Sequence, residues 1–187
     1  MWSASPFWNL WHDRPTPPLS TGHRFGTVFG PQRARNGAAE VSGRVKAFRY
    51  PLDVRFFEVD SLGVVFNMWY LGWCDEAMSA FMESIGYGYR ALRAQGYDAV
   101  LRKAELEYLD SLEAFQQAEV AVRVDHVGTT SFRLRYDIER VHGASSAGQG
   151  RTLCAHVAIT YVCVEIDGRR KAPIPLGLRE ALVEDHT

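Results

Sequence analysis

The stretch Arg55-Phe-Phe-Glu-Val-Asp60-Ser-Leu-Gly63-Val-Val-Phe-Asn67-Met-Trp-Tyr70 holds the residues best suited to chemistry. It reads as a strand end, a turn acid, a glycine and a helix start, with Asn67 as a credible N-cap. A helix N-terminus presents unpaired N–H groups and the positive end of a dipole. Such groups can polarise a carbonyl and hold a developing oxyanion. Asp60, seven residues before Asn67, can fold back beside the same spot. An acid or base next to preformed donors is what acyl transfer needs. Spacing alone leaves a second reading open, because Asp ahead of Gly is also ordinary turn chemistry.

The surrounding elements must position these groups. Tyr50, Leu52, Val54 and Phe56 alternate with Pro51, Asp53, Arg55 and Phe57, which suggests a strand entering the turn. Residues 67–85 read as a helix whose polar arc is only Asp75, Glu76, Ser79 and Glu83. Apolar residues cover most of the rest of its circumference, so the helix is expected to be largely buried. A short helix at 88–95 follows among Gly86, Gly88 and Gly96. Alternating patterns then mark strands at 99–109, 118–127, 131–140 and 151–165, with a hairpin turn at Val127-Gly128-Thr129-Thr130. No helices alternate with these strands, so an antiparallel α+β domain fits and a parallel sheet does not. In the last strand Cys154 and Cys163, nine apart, are expected on opposite faces if the strand is regular.

The segment Asp60-Ser-Leu-Gly63-Val-Val-Phe-Asn67-Met-Trp-Tyr70-Leu-Gly-Trp73, with Glu76 following, resembles the signature of the 4-hydroxybenzoyl-CoA thioesterase-like hot-dog family. Gly128-Thr-Thr-Ser131-Phe132 and the closing Pro173-Ile-Pro175 with Leu178-Arg179 fit its bacterial short-chain acyl-CoA thioesterase branch. The resemblance spans about residues 48–182. It implies a hot-dog fold, an antiparallel sheet wrapped around a long buried helix, and hydrolysis of a small aliphatic or aromatic acyl thioester. Asp60 would attack the thioester carbonyl or activate water, the Asn67 amide N–H would face the thioester oxygen, and Gly63 would let the backbone approach. Val65, Phe66 and Tyr70 would shape the acyl site, and Thr129, Thr130 and Ser131 would hold the substrate. Coenzyme A enters only as part of the substrate, with no separate cofactor. The family implies a homodimer or homotetramer with the acyl pocket at a subunit interface.

Some residues depart from the pattern. Asn67 stands where one branch has His, and Phe56 where it has Tyr. The hairpin of Gly128, Thr129 and Thr130 lacks the basic residues that hold CoA phosphates in some members. Arg102, Lys103, Arg133 and Arg135 are substitutes for those cations, or else a solvated strand face. An acyl carrier protein therefore stays open as the alternative carrier. Glu76 matches a helix glutamate that a second branch uses as nucleophile or base, and is a candidate second acid. Buried, it would have a raised pKa and could serve as a base.

Composition sets the outer limits. The 187 residues carry a formal net charge of −1, with 47% hydrophobic and 23% charged residues, as in an ordinary globular chain. No basic field would gather nucleic acid or an anionic membrane, and no apolar run is long enough to span a bilayer. Three cysteines without a C-x-x-C, and no secretory signal, suggest free thiols in the cytoplasm. Six histidines show no metal-ligand spacing, and no G-x-S-x-G elbow is present. Residues 1–47 hold six basic and two acidic residues, with Pro15, Pro17 and Pro18 and the aromatics Phe7, Trp8 and Trp11. They read as a poorly ordered or partner-contacting extension ahead of a domain at 48–187. Two rival readings remain: a non-catalytic acyl-CoA-binding or regulatory hot dog, and a hot-dog dehydratase. The second would want a His near the acid, where this chain has Asn67.

Overall fold

The computed structural model describes residues 47–143 and 150–184. The expected N-terminal extension, but for Ala47, lies outside the described residues. Five strands form one antiparallel sheet: β1 (Phe48–Asp53), β2 (Tyr97–Tyr108), β3 (Gln117–Val127), β4 (Ser131–Val141) and β5 (Arg151–Glu165). Their order across the sheet is β1-β3-β4-β5-β2. A 17-residue helix, α1 (Met68–Ser84), packs on one face, followed by the short α2 (Tyr89–Ala94). This is the hot-dog arrangement expected from the order strand, helix, four strands.

The packing follows from residue pattern. Alternate positions of the strands (Val120 and Val122, Leu134 and Tyr136, Val157 and Ile159) are buried in one cluster with Tyr70, Trp73, Cys74, Ala77 and Phe81 of α1. Phe48 of β1 meets Phe81 with ring centroids 5.8 Å apart. Of the tyrosine hydroxyls in this core, those of Tyr136 and Tyr161 satisfy each other across 2.9 Å. Burial raises the pKa of both phenols, so they stay protonated. Asp75, Glu76, Ser79 and Glu83 are all exposed, as expected of the polar arc.

The opposite face of the sheet is an ionic lattice. Arg49 pairs with Glu119 and Glu139, and Arg123 with Asp137. Arg135 reaches Asp125 at 2.8 Å, Arg133 reaches Glu105 at 2.7 Å, and Lys103 reaches Glu105 at 2.9 Å. Three of the four cations considered as phosphate holders thus already have carboxylate partners, as a solvated face would.

Three features differ from expectation. The first strand stops at Asp53, and Phe56–Glu58 form a 3-10 turn instead of continuing it. The Glu58 side chain accepts the Arg55 backbone N–H at 2.7 Å, a bond that holds the turn rather than a strand. A third helix, α3 (Leu176–Glu184), was not expected; it buries Leu178 and Leu182 in the core cluster. Finally, Cys154 and Cys163 do not face opposite sides. The register of β4 against β5 shifts between Ile138 and Glu139, passing over Cys154. That bulge changes the alternation, and both thiols lie in the core.

Candidate active site

The turn between β1 and α1 is built from short-range bonds. Asp60 N–H donates to the Val64 carbonyl at 2.9 Å, and Gly63 N–H to the Asp60 carbonyl at 3.0 Å. Val59 and Val65 pair as an antiparallel bridge, so 59–65 is a small hairpin with Asp60 at its corner. Gly63 has φ +79°, a left-handed backbone that a side chain would strain. A Cβ there would meet nothing within 4 Å. Within one chain, the dihedral angle by itself accounts for a glycine there.

The half-buried Asp60 carboxylate has one oxygen engaged. Its Oδ1 accepts the Leu62 N–H at 2.8 Å, a local Asx turn. The other oxygen has no protein partner among the described residues. The turn-chemistry reading and the catalytic one are thus compatible, since the bond that fixes the side chain leaves Oδ2 unused.

The second arm of the hairpin leads to the helix mouth. Val65 N–H donates to the Leu112 carbonyl at 2.8 Å, and Phe66 N–H to the Glu58 carbonyl at 2.8 Å. Asn67 comes next, at the N-cap position, but with helical dihedrals (φ −51°, ψ −32°) and no side-chain capping bond. The sequence expectation of a side-chain cap is corrected here. Among the described residues its backbone N–H has no acceptor, so it is a free donor at the start of α1. Its carbonyl accepts the Tyr108 hydroxyl at 3.1 Å. Tyr108 in turn lies edge-on to Tyr70, with ring centroids 5.2 Å apart. Tyr70 is buried, which pushes its phenol well above the usual range and keeps it neutral.

Not every predicted site residue joins this group. Val65 is buried beneath the hairpin, while Phe66 and Met68 flank the helix mouth exposed. Phe56, Phe57 and Leu62 are exposed as well, at 71%, 60% and 74%. Together they leave uncovered apolar surface on the segment that carries the acid. Glu76 is exposed on α1, where it accepts the hydroxyl of Tyr50 from β1 at 3.3 Å. Thr129, Thr130 and Ser131 lie at the far end of the sheet. The hairpin they form closes at the Val127 end of β3, whereas the Asp60 hairpin bonds to Leu112 and Glu113 ahead of the Gln117 end. Thr129 and Thr130 carbonyls accept from Ile174 and Cys163 there. In one chain these hydroxyl residues and Asp60 are not neighbours.

Two concavities of about 360 Å³ and 580 Å³ lie elsewhere, the first at Pro51, Gln117 and Arg151, the second on the ionic face. Neither is lined by any residue of 54–70. Among the described residues no three His, Cys, Asp or Glu side chains gather as a metal site, and no helix is long and apolar enough to cross a membrane.

Residues that sequence reasoning missed are Glu58 and Tyr108. Glu58 occupied a position that strand alternation left unremarked. Tyr108 is 41 residues from Asn67, and no local pattern joins them.

The antiparallel sheet packed on a long helix is a hot-dog fold, and the turn that carries Asp60 leads directly into the uncapped start of that helix. The profile of the thioesterase-like superfamily matches residues 54–182, and the chain belongs to that family. It is similar to the 1,4-dihydroxy-2-naphthoyl-CoA hydrolase of Synechococcus elongatus, 23% identical over 137 residues covering 72% of this chain and 94% of that protein. A 1,4-dihydroxy-2-naphthoyl-CoA thioesterase from Synechocystis shares the fold with a TM-score of 0.63 at 23% identity, over 74% of this chain and 96% of that one. A Staphylococcus aureus protein solved in complex with CoA shares it with a TM-score of 0.67 at 13% identity, over 75% and 84%.

Proposed function

We propose that the protein is an acyl-CoA thioesterase acting on a small aromatic or short aliphatic acyl group. The observation that carries this reading is one short hairpin that holds a carboxylate with one unused oxygen at its corner and leads straight into a backbone N–H with no acceptor at the start of α1. In the proposed reaction the thioester carbonyl oxygen lies toward the Asn67 N–H. The Asp60 carboxylate takes a proton from a water that attacks the carbonyl carbon, or attacks that carbon itself. The tetrahedral oxyanion is held by the Asn67 N–H. When it collapses, the C–S bond breaks and the thiolate leaves with the proton that water supplied. If Asp60 attacks directly, water hydrolyses the resulting anhydride in a second step and supplies the same proton. Losing one oxyanion donor elsewhere costs roughly 3–4 kcal/mol of transition-state stabilisation, so the placement of this amide matters as much as the acid. The curated relative named for 1,4-dihydroxy-2-naphthoyl-CoA supports a CoA carrier and an aromatic acyl group. An acyl carrier protein thioester is the alternative substrate.

The reading includes a second copy of the chain. The uncovered apolar surface on the segment that carries Asp60 (Phe57, Leu62, Phe66, Met68) needs a cover to become an acyl pocket. β2 is a twelve-residue edge strand whose Val100 and Leu101 are exposed, the kind of edge that pairs unless protected. Antiparallel pairing of two β2 edges brings the Tyr97 end of one copy beside the Tyr108 end of the other. The hairpin of Thr129, Thr130 and Ser131 lies on the Tyr97 side, since Ser131 pairs with Val162 and Tyr97 with Glu165. A partner would therefore bring those hydroxyls to the end of the joint sheet where Asp60 stands. A homodimer is the minimum unit of this proposal, and a homotetramer is compatible with it. Three free, buried cysteines suit a reducing cytoplasm.

The test is release of free thiol from a panel of acyl-CoAs and acyl carrier protein thioesters, comparing the parent with Asp60→Asn. At least one substrate should turn over, and the variant should lose at least ~100-fold, the lower end for a lost acid–base group. Equal rates would end the assignment of Asp60. No release from any thioester would favour a non-catalytic acyl-binding hot dog.

A further inference from the structure

Glu58 is the one charged side chain among the described residues that is fully buried, at 1% exposure. A buried carboxylate is costly unless its lone pairs are used, and an apolar residue of similar volume would fill the same space without that cost. What the carboxylate offers instead is acceptors in fixed directions. Its Oε1 accepts the Trp73 indole N–H at 3.1 Å, from the second turn of α1. Its Oε2 accepts the Arg55 backbone N–H at 2.7 Å, at the start of the 3-10 turn. The Arg55 guanidinium stands 3.8 Å from Oε1. The main chain of the same residue accepts the Phe66 N–H at 2.8 Å.

These bonds close a ring. From the Glu58 carboxylate it runs to Trp73, back along α1 to Asn67 and Phe66, and through the Phe66 N–H to the Glu58 carbonyl. Asp60 hangs from this ring two residues after Glu58, and the free Asn67 N–H leaves it one residue after Phe66. One residue thus ties together the arm that carries the acid, the arm that carries the donor, and the body of the helix. We infer that Glu58 is a positioning residue that sets the Asp60 carboxylate against the Asn67 amide, and that it acts through them without touching the substrate. The inference rests on the thioesterase reading for its kinetic consequence. Its structural content stands apart from that reading.

Two sets of measurements decide it. Glu58→Gln keeps the volume but loses one acceptor, and Trp73→Phe removes only the indole donor. In the full-length protein each should lower kcat for the best acyl-CoA at least tenfold with KM within threefold. In an Asp60→Asn background, Glu58→Gln should cost less than threefold, because the group it positions is gone. An equal loss in both backgrounds, or none, overturns the inference. The second measurement is amide hydrogen exchange on the folded protein. Leu62 and Phe66 amides should exchange at least tenfold faster in Glu58→Gln and Trp73→Phe, while β3 and β4 amides keep the parental rate. Unchanged turn amides, or a uniform rise across the sheet, overturn it. If the parent releases no thiol, or Asp60→Asn keeps its rate, the thioesterase reading falls while the exchange data still decide Glu58. If Glu58→Gln does not fold, Trp73→Phe carries both measurements.

Discussion

The two ends of α1 are finished in opposite ways. Its C-terminal end is closed. Ile85 is the C-cap, and Gly86 follows with φ +80°. Tyr87 N–H reaches back to the Met82 carbonyl at 2.8 Å and Gly86 N–H to that of Glu83 at 3.0 Å, a Schellman motif. Leu92 of α2 and Leu178 and Leu182 of α3 bury themselves in the same core. The N-terminal end has no side-chain cap, a free N–H at Asn67, and a rim of exposed apolar residues. The same 17-residue helix is packed along its length, from Tyr70 and Trp73 to Phe81 and Met82, but only its C-terminal end has its backbone groups capped. The difference between the two ends is thus one of backbone satisfaction, and it leaves free donors only at the end next to Asp60 in the chain.

That difference can be tested from either side. The largest effect expected is at the closed end: Leu178→Ala, at a fully buried site, should cost about 2–5 kcal/mol in urea unfolding. Its kcat per folded molecule should stay within twofold of the parent. A kcat loss comparable to the stability loss would show that the two ends communicate. At the open end, Asp60→Asn should lose at least ~100-fold in kcat, equivalent to about 2.7 kcal/mol of transition-state stabilisation. Its unfolding midpoint should stay within experimental error of the parent. Next comes Gly86→Ala, which places a side chain at a left-handed C′ position and should cost about 1 kcal/mol in stability with no kinetic change. Smallest is Tyr108→Phe, which removes the hydroxyl on the Asn67 carbonyl. A hydrogen bond of about 0.5–1.5 kcal/mol, lost only at the mouth, should lower kcat about three- to tenfold. A Tyr108→Phe enzyme at the parental rate would mean that the Asn67 peptide is held by the hairpin alone.

Much of this architecture was legible before any coordinates. The polar arc of Asp75, Glu76, Ser79 and Glu83 located the exposed side of α1, and period-two alternation located β2 to β5. Local pattern suffices there because one buried face imposes its period on the chain. Legibility failed where a side chain overrode the period. Glu58 holds a 3-10 turn after β1, a bulge at Cys154 brought a second thiol into the core, and nine residues after Pro175 made a helix too short for a clear pattern.

The sequence by itself determined the acid, the glycine and the helix start in one 8-residue span from Asp60 to Asn67, because turn chemistry and helix initiation are local. Only the tertiary structure decided that the Asn67 amide is left unpaired, that Glu58 is sealed beneath it, and that Tyr108 reaches it from β2. It also separated Thr129, Thr130 and Ser131 from Asp60 by the length of the sheet. Each of these depends on which strands lie side by side and on which donors the core leaves over. Those are long-range outcomes of packing, and no window of sequence contains them.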